Sequence, residues 1–157
     1  MSITTQQKAF LDMLAWSEGT ALIPNSDNGY RVIVGSTPTH PDLFTSYADH
    51  PRKFVRLGGN LVSSAAGRYQ VLARYFDEYK AMLHLPDFSP SSQDAIALQQ
   101  IRERGALPSI EQGNITDAIK RCSGIWASLP GNNYGQHQNQ LSELLARFKS
   151  AGGTVTA

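Results

Sequence analysis

Thr5-Gln-Gln-Lys-Ala-Phe-Leu-Asp-Met-Leu-Ala-Trp-Ser-Glu-Gly19 is the stretch from which the fold can be read. Phe10, Met13, Leu14 and Ser17 fall at i, i+3, i+4 and i+7, with Ile3 and Leu11 bordering the same face. The spacing predicts an amphipathic helix from Thr5 to Ser17. Thr4 or Thr5 is the expected N-cap, and Gly19 is the expected stop. Glu18 is thereby left at a helix C-terminus, beside the apolar Trp16. The partial negative charge of a helix end and an apolar wall both disfavour a carboxylate anion, which suits a proton donor. A glutamate at a helix end is, however, more often simply solvated.

Beyond this helix the character changes. Residues 20–61 are rich in Gly, Pro, Ser, Thr, Asn and Asp. Tyr30 to Val34 is a short β-prone run preceded by the turn signal Asp27-Asn28-Gly29, and Leu43 to Tyr47 and Lys53 to Leu57 are further strand candidates. Helical spacing returns from Tyr69 to Leu83. Ser89-Pro90 opens a helix to about Arg104, closed by Gly105. Further helices are expected from Thr116 to Ser128, with Asn114 or Thr116 as cap, and from Gln136 to Ala151. Gly152-Gly153 then leaves a frayed tail. This pattern is α+β: mostly helical, with a small antiparallel sheet near the N-terminus.

The 157 residues are read as one domain, 1–157, large enough to bury roughly two-thirds of its unfolded surface. The net charge of +1 gives no nucleic-acid footprint. Cys122 is the only cysteine, which excludes an internal disulfide. His40, His50, His84 and His137 are scattered, so neither a metal nor another cofactor is expected. The N-terminal residues carry no long apolar run, so no signal peptide and no membrane anchor are expected.

Two further segments carry polar and aromatic groups suited to a ligand. In Ala66-Gly67-Arg68-Tyr69-Gln70, the glycine permits close approach, while Tyr69 and Gln70 offer a flat face and an amide that suit N-acetylated sugars. A helix entry with a core tyrosine is the plainer reading. In Asn132-Asn133-Tyr134-Gly135-Gln136, Tyr134 and its amide neighbours sit in a loop that is otherwise an ordinary helix connection.

Taken together these segments are far more specific than any alone. Lys8 to Thr20, Gly29 to Gly35, Asp49-His50-Pro51-Arg52-Lys53 and Ala66 to Gln70 resemble, in order, the bacteriophage lambda endolysin family. The likeness continues through Asp87 to Pro90, Gln93 to Ile101, Glu103 to Pro108, Ile125 to Gly131 and Tyr134 to Gln136. The resemblance implies a lysozyme-like fold with a cleft between two lobes, and a lytic transglycosylase acting on peptidoglycan glycan strands. It places the catalytic glutamate in Ser-Glu-Gly, here Glu18; Ser17, Tyr69, Gln70 and Tyr134 are the expected substrate-binding residues. One mobile cleft lip falls at about Asp49 to Arg56. It also implies a monomer that stays in the host cytoplasm until a separate holin releases it to the wall. The loop between Gly19 and Gly29 departs from the family pattern.

Asp27 lies nine residues after Glu18, the spacing of a different, hydrolytic phage lysozyme class. That class needs a threonine where this chain has Ile33. Asp27-Asn28-Gly29 also reads as a plain turn, the preferred reading. The alternatives to a transglycosylase are thus an inverting lysozyme using Glu18 and Asp27, or a non-catalytic wall-binding module that keeps the cleft.

Overall fold

The structure is a computed structural model that describes residues 2–135 and 137–157. The elements run α1 (Thr5–Ser17), a 3-10 turn (Thr20–Leu22), β1 (Val55–Gly58), β2 (Leu61–Ser63), α2 (Ala73–Leu83), α3 (Pro90–Glu103), α4 (Leu107–Glu111), α5 (Ile115–Cys122) and α6 (Leu141–Ser150). The architecture is α+β, mostly helical with one small antiparallel sheet. The chain divides into two compact units: residues 18–96 form one, while residues 1–17 and 97–157 form the other. One boundary falls at the end of α1 and the other inside α3.

In the discontinuous unit, α1 packs on α4 and α6. Phe10, Met13 and Leu14, three of the residues that predict the helix, are fully buried. Thr4 caps α1 reciprocally with Gln7. The Gln7 amide donates to Thr4 Oγ1 at 3.1 Å, and the Thr4 amide donates to Gln7 Oε1 at 3.2 Å. Asn114 caps α5 by accepting from the Asp117 amide at 3.2 Å. The α5 helix is shorter than predicted and ends at Cys122. The short α4 falls after Gly105, where no helix was predicted. The final helix begins at Leu141, and the expected start at Gln136 lies outside the described residues.

The C-terminal tail is tied down rather than frayed. The Thr154 amide donates to Gln6 Oε1 at 2.7 Å, the Thr156 amide to the Gly113 carbonyl at 2.8 Å, and the Ile115 amide to an Ala157 oxygen at 3.0 Å. A side chain at Gly153 would sit 2.2 Å from the Phe148 ring, so the Gly152-Gly153 pair serves close packing as well as helix termination.

In the contiguous unit, Ile33, Phe44, Phe76, Phe88 and Ile96 are among the residues of one apolar core. The predicted strands at Tyr30 to Val34 and Leu43 to Tyr47 do not form a ladder. They make isolated bridges, Val32 to Leu43 and Ile33 to Ala66. The amides of successive residues turn to different partners: Ile33 donates to the Asp42 carbonyl at 2.9 Å and Val34 to the Ala65 carbonyl at 3.1 Å. The sheet is instead the antiparallel β1–β2 hairpin, with Val55 opposite Ser63 and Arg56 opposite Val62. Phe54, Leu57, Leu61 and Val62 are exposed on or beside it.

Candidate active site

Glu18 follows α1 directly and is half-buried. Gly19 adopts the left-handed conformation at φ 82° and reverses the chain into the 3-10 turn. Glu18 lines a cavity of about 190 Å³ within the contiguous unit. Thr20, Leu22, Ile23, Val32 and Ile33 supply part of its wall, and Ser36, Thr37 and Gln70 supply polar groups. A single carboxyl in a mixed apolar and polar wall is suited to donating a proton to a bound ligand.

The wall behind the cavity is cross-braced. The amide of Gly67 donates to the Val32 carbonyl at 2.8 Å, and Ala66 and Val71 exchange amide–carbonyl bonds at 3.0 and 3.1 Å. Residues 67–70 are therefore a tight turn, with Gly67 at φ 85° and Gln70 at φ 57°. This is why α2 starts at Ala73 and not at Tyr69. The room left by the missing Gly67 side chain is taken by the protein itself: a Cβ there would lie 2.5 Å from Gln93 Oε1 and 2.9 Å from Phe88. Close approach by a ligand, the sequence-based expectation for Gly67, is thus replaced by internal packing.

The predicted ligand-facing residues separate on inspection. Gln70 does line the Glu18 cavity. Its amide nitrogen donates to the Gly67 carbonyl at 2.8 Å and to the Val32 carbonyl at 3.3 Å, which fixes the orientation of the amide. Tyr69 presents no face to that cavity. It is 5% exposed, donates its hydroxyl to Asp94 Oδ1 at 2.6 Å and accepts from Arg68 Nη1 at 3.0 Å. Burial holds its phenol well above the usual range. Its setting is that of a buried bracing group, whereas the sequence-based expectation is a platform for substrate.

Ser17 is engaged by neighbouring side chains. Its hydroxyl lies 2.7 Å from Ser128 Oγ and accepts from Asn139 Nδ2 at 2.9 Å, within the discontinuous unit. Tyr134 belongs to that unit too. Its side chain is largely exposed, with the hydroxyl donating to the Gly124 carbonyl at 3.0 Å.

Arg68, Asp94 and Tyr30 were missed by sequence reasoning. Arg68 is 4% exposed and its Nε donates to the Asn28 carbonyl at 2.9 Å. Its guanidinium lies over both the Tyr30 and Tyr69 rings, at 5.2 and 5.6 Å from the centroids. Tyr30 donates to Asp94 Oδ1 at 2.9 Å. Burial, reinforced by the Asp94 charge, pushes the Tyr30 phenol up to about 12. The only hint in the sequence is an arginine between Gly67 and Tyr69.

Asp27 is exposed and left-handed at φ 53°, and its carboxylate accepts from the Tyr47 hydroxyl. It is not among the residues lining the Glu18 cavity. Among the described residues, no group of three or more His, Cys, Asp or Glu side chains could hold a metal ion. No helix among them is long and apolar enough to cross a membrane.

A glutamate at the end of the first helix, opening into a braced cavity of mixed polar and apolar lining, is the arrangement of a lysozyme-like lytic enzyme. Comparison with known proteins makes this specific. The endolysin family matches residues 8–155. The endolysin of Escherichia phage lambda is 58% identical, over 99% of this chain and 96% of its own length. That of Escherichia phage P2 is 50% identical, over 96% of each chain. The structure of bacteriophage lambda lysozyme complexed with a chitohexasaccharide superposes with a TM-score of 0.92, covering 99% of each chain at 58% identity. A second structure of lysozyme from bacteriophage lambda gives 0.89. The chain belongs to the endolysin family.

Proposed function

We propose that this chain is a lytic transglycosylase that cleaves the bond between N-acetylmuramic acid and N-acetylglucosamine in peptidoglycan, with Glu18 as acid and then base. The observation that carries the reading is the single carboxyl of Glu18 in its cavity. Two-carboxyl glycosidases hold their pair about 5–5.5 Å or about 6.5–9.5 Å apart across the scissile bond. Here Asp27, the second candidate, is taken by Tyr47 and is absent from the cavity wall. The lambda lysozyme complex, whose ligand is a chitohexasaccharide, supports a β-linked N-acetylated glycan as ligand.

On this reading, protonated Glu18 gives its proton to the glycosidic oxygen and the bond to C1 of the muramic acid breaks. The resulting carboxylate takes the proton of the C6 hydroxyl on the same sugar. That oxygen bonds to C1, and the product ends in a 1,6-anhydro ring. Attack within one sugar requires no positioned water. The enzyme is held in the host cytoplasm until a separate holin opens the way to the wall, and it works there as a monomer.

Product analysis tests this directly. Muropeptides released from purified walls are expected to end in 1,6-anhydromuramic acid and to resist borohydride. Reducing ends appearing in step with lysis would establish hydrolysis instead. Glu18→Gln keeps the shape and removes the transferable proton, so turnover is expected to fall by about 10²–10⁴. Turnover within a few-fold of the parent would remove Glu18 from the chemistry.

A further inference from the structure

Glu18 stands where α1 gives way, through Gly19, to the 3-10 turn Thr20–Leu22. Gly19 has no side chain to pack, and an added Cβ there would meet nothing within 4 Å. Restraint comes from the next residue. Thr20 is 2% exposed and lines the same cavity as Glu18. Its Oγ1 donates to the Arg68 carbonyl at 2.6 Å.

That carbonyl belongs to a rigid acceptor. The Arg68 amide donates to Gln93 Oε1 at 2.9 Å, and the Arg68 Nε holds the Asn28 carbonyl at 2.9 Å. Thr20 also packs closely on Gly29, where an added Cβ would lie 3.0 Å from both the Thr20 carbonyl carbon and Oγ1. Thr20 is thus anchored through its hydroxyl, with no room beside it for a side chain at Gly29. The 3-10 turn starts at Thr20 itself, with the Ile23 amide donating to the Thr20 carbonyl at 3.2 Å.

We propose that Thr20 is a positioning residue for Glu18. Its hydroxyl, anchored on the Arg68 carbonyl, sets the turn after Gly19 and so the placement of the Glu18 carboxyl against the scissile oxygen. Thr20 itself transfers nothing. The inference rests on the reading of Glu18 as the proton donor. A shift of about 1 Å in such a group costs roughly a hundredfold in rate, and a smaller shift costs less.

The test compares Thr20→Val, which keeps the shape and removes the hydroxyl, with Thr20→Ser, which keeps the hydroxyl. Both are measured on soluble glycan strands and normalised to folded protein. Thr20→Val is expected to lower kcat by about tenfold or more with KM within about twofold, the signature of a misplaced catalytic group. Thr20→Ser is expected to restore kcat to within a few-fold of the parent. Gly29→Ala pushes on the same turn with the hydroxyl intact, and is expected to lower kcat even if Thr20→Val does not fold. A folded Thr20→Val with parental kcat, equal losses in Thr20→Val and Thr20→Ser, or a Gly29→Ala of parental kcat would each overturn the proposal. Glu18→Gln is run alongside. If it stays active, the reading of Glu18 falls; if it is inactive while folded Thr20→Val matches the parent, only the role of Thr20 falls.

Discussion

Removing the Tyr69 hydroxyl takes one bond from the buried Arg68 Nη1 and one from the half-buried Asp94 Oδ1, which keeps its bond from Tyr30. A buried polar group left without its partner costs about 1–3 kcal/mol. Tyr69→Phe is therefore expected to lower stability by about that amount in urea denaturation. A loss of only a few tenths would mean that solvent satisfies Arg68 and that the existing Tyr30 bond suffices for Asp94. Asp27→Asn tests the other aromatic–acid pair. An asparagine oxygen still accepts from Tyr47, so lysis is expected to stay within a few-fold of the parent. An inverting base would lose about 10²–10⁴. At this scale the sequence was most informative where chemistry sits next to periodicity. Glu18 follows from the helix that ends before it. Tyr69 could not be placed, because the difference between a displayed and a buried tyrosine here is set by Asp94 and Arg68, one of them 25 residues away.

The elements around the hairpin show why helices were legible and strands were not. The α1 periodicity is local, whereas the run from Tyr30 to Val34 finds partners at Asp42 and Ala65 that no local pattern reveals. His50, which precedes the hairpin in the chain, is buried against Phe76 and Phe88. Its Nδ1 accepts from the Arg52 amide at 2.9 Å, so Nε2 carries the proton and donates to the Val71 carbonyl at 2.9 Å. Arg52, left-handed at φ 53°, clasps Asp49 at 2.9 Å and Asp77 at 2.7 Å. Burial holds the imidazole below its ordinary 6.5, and the Arg52 charge adds to this against the opposing Val71 bond and the Asp49 and Asp77 charges. Because the folded value is depressed, the stability His50 contributes is present above about pH 6.5 and is lost as pH falls through the folded value. Asp49 and Asp77 are lowered first by their Arg52 hydrogen bonds, so their contribution is lost only as pH falls from about 3.8 through their folded values. The stability gap between the parent and His50→Gln is therefore expected to be widest above pH 6.5 and to narrow on acidification before the carboxylates titrate. Urea midpoints across that range check it, and a gap that widens toward acid would contradict the neutral, buried imidazole.

Over the whole molecule, the two units differ in how the chain builds them. The contiguous unit uses residues 18–96, whereas the other joins α1 to everything after residue 96. Neither the tied tail nor this division is written in local sequence, since both depend on contacts such as Gln6 with Thr154 across 148 residues. Two reporters fall in the discontinuous unit by chance of sequence: both tryptophans, Trp16 and Trp126, and the only thiol, Cys122. Cys122 is fully buried at the end of α5, and burial pushes its thiol up to about 12. At pH 8 roughly one molecule in ten thousand would then carry the reactive thiolate even if reagent could reach it. Labelling by an aromatic disulfide reagent is therefore expected only through opening of that unit. In rising urea, the labelling rate should climb along the same transition as tryptophan fluorescence, because both report the packing of α1, α5 and their neighbours. Reducing agents should leave activity unchanged. Rapid labelling of the native protein would show that α5 opens on its own, without the rest of its unit. A labelling transition that precedes the fluorescence change would place that opening in a step separate from the α1 core.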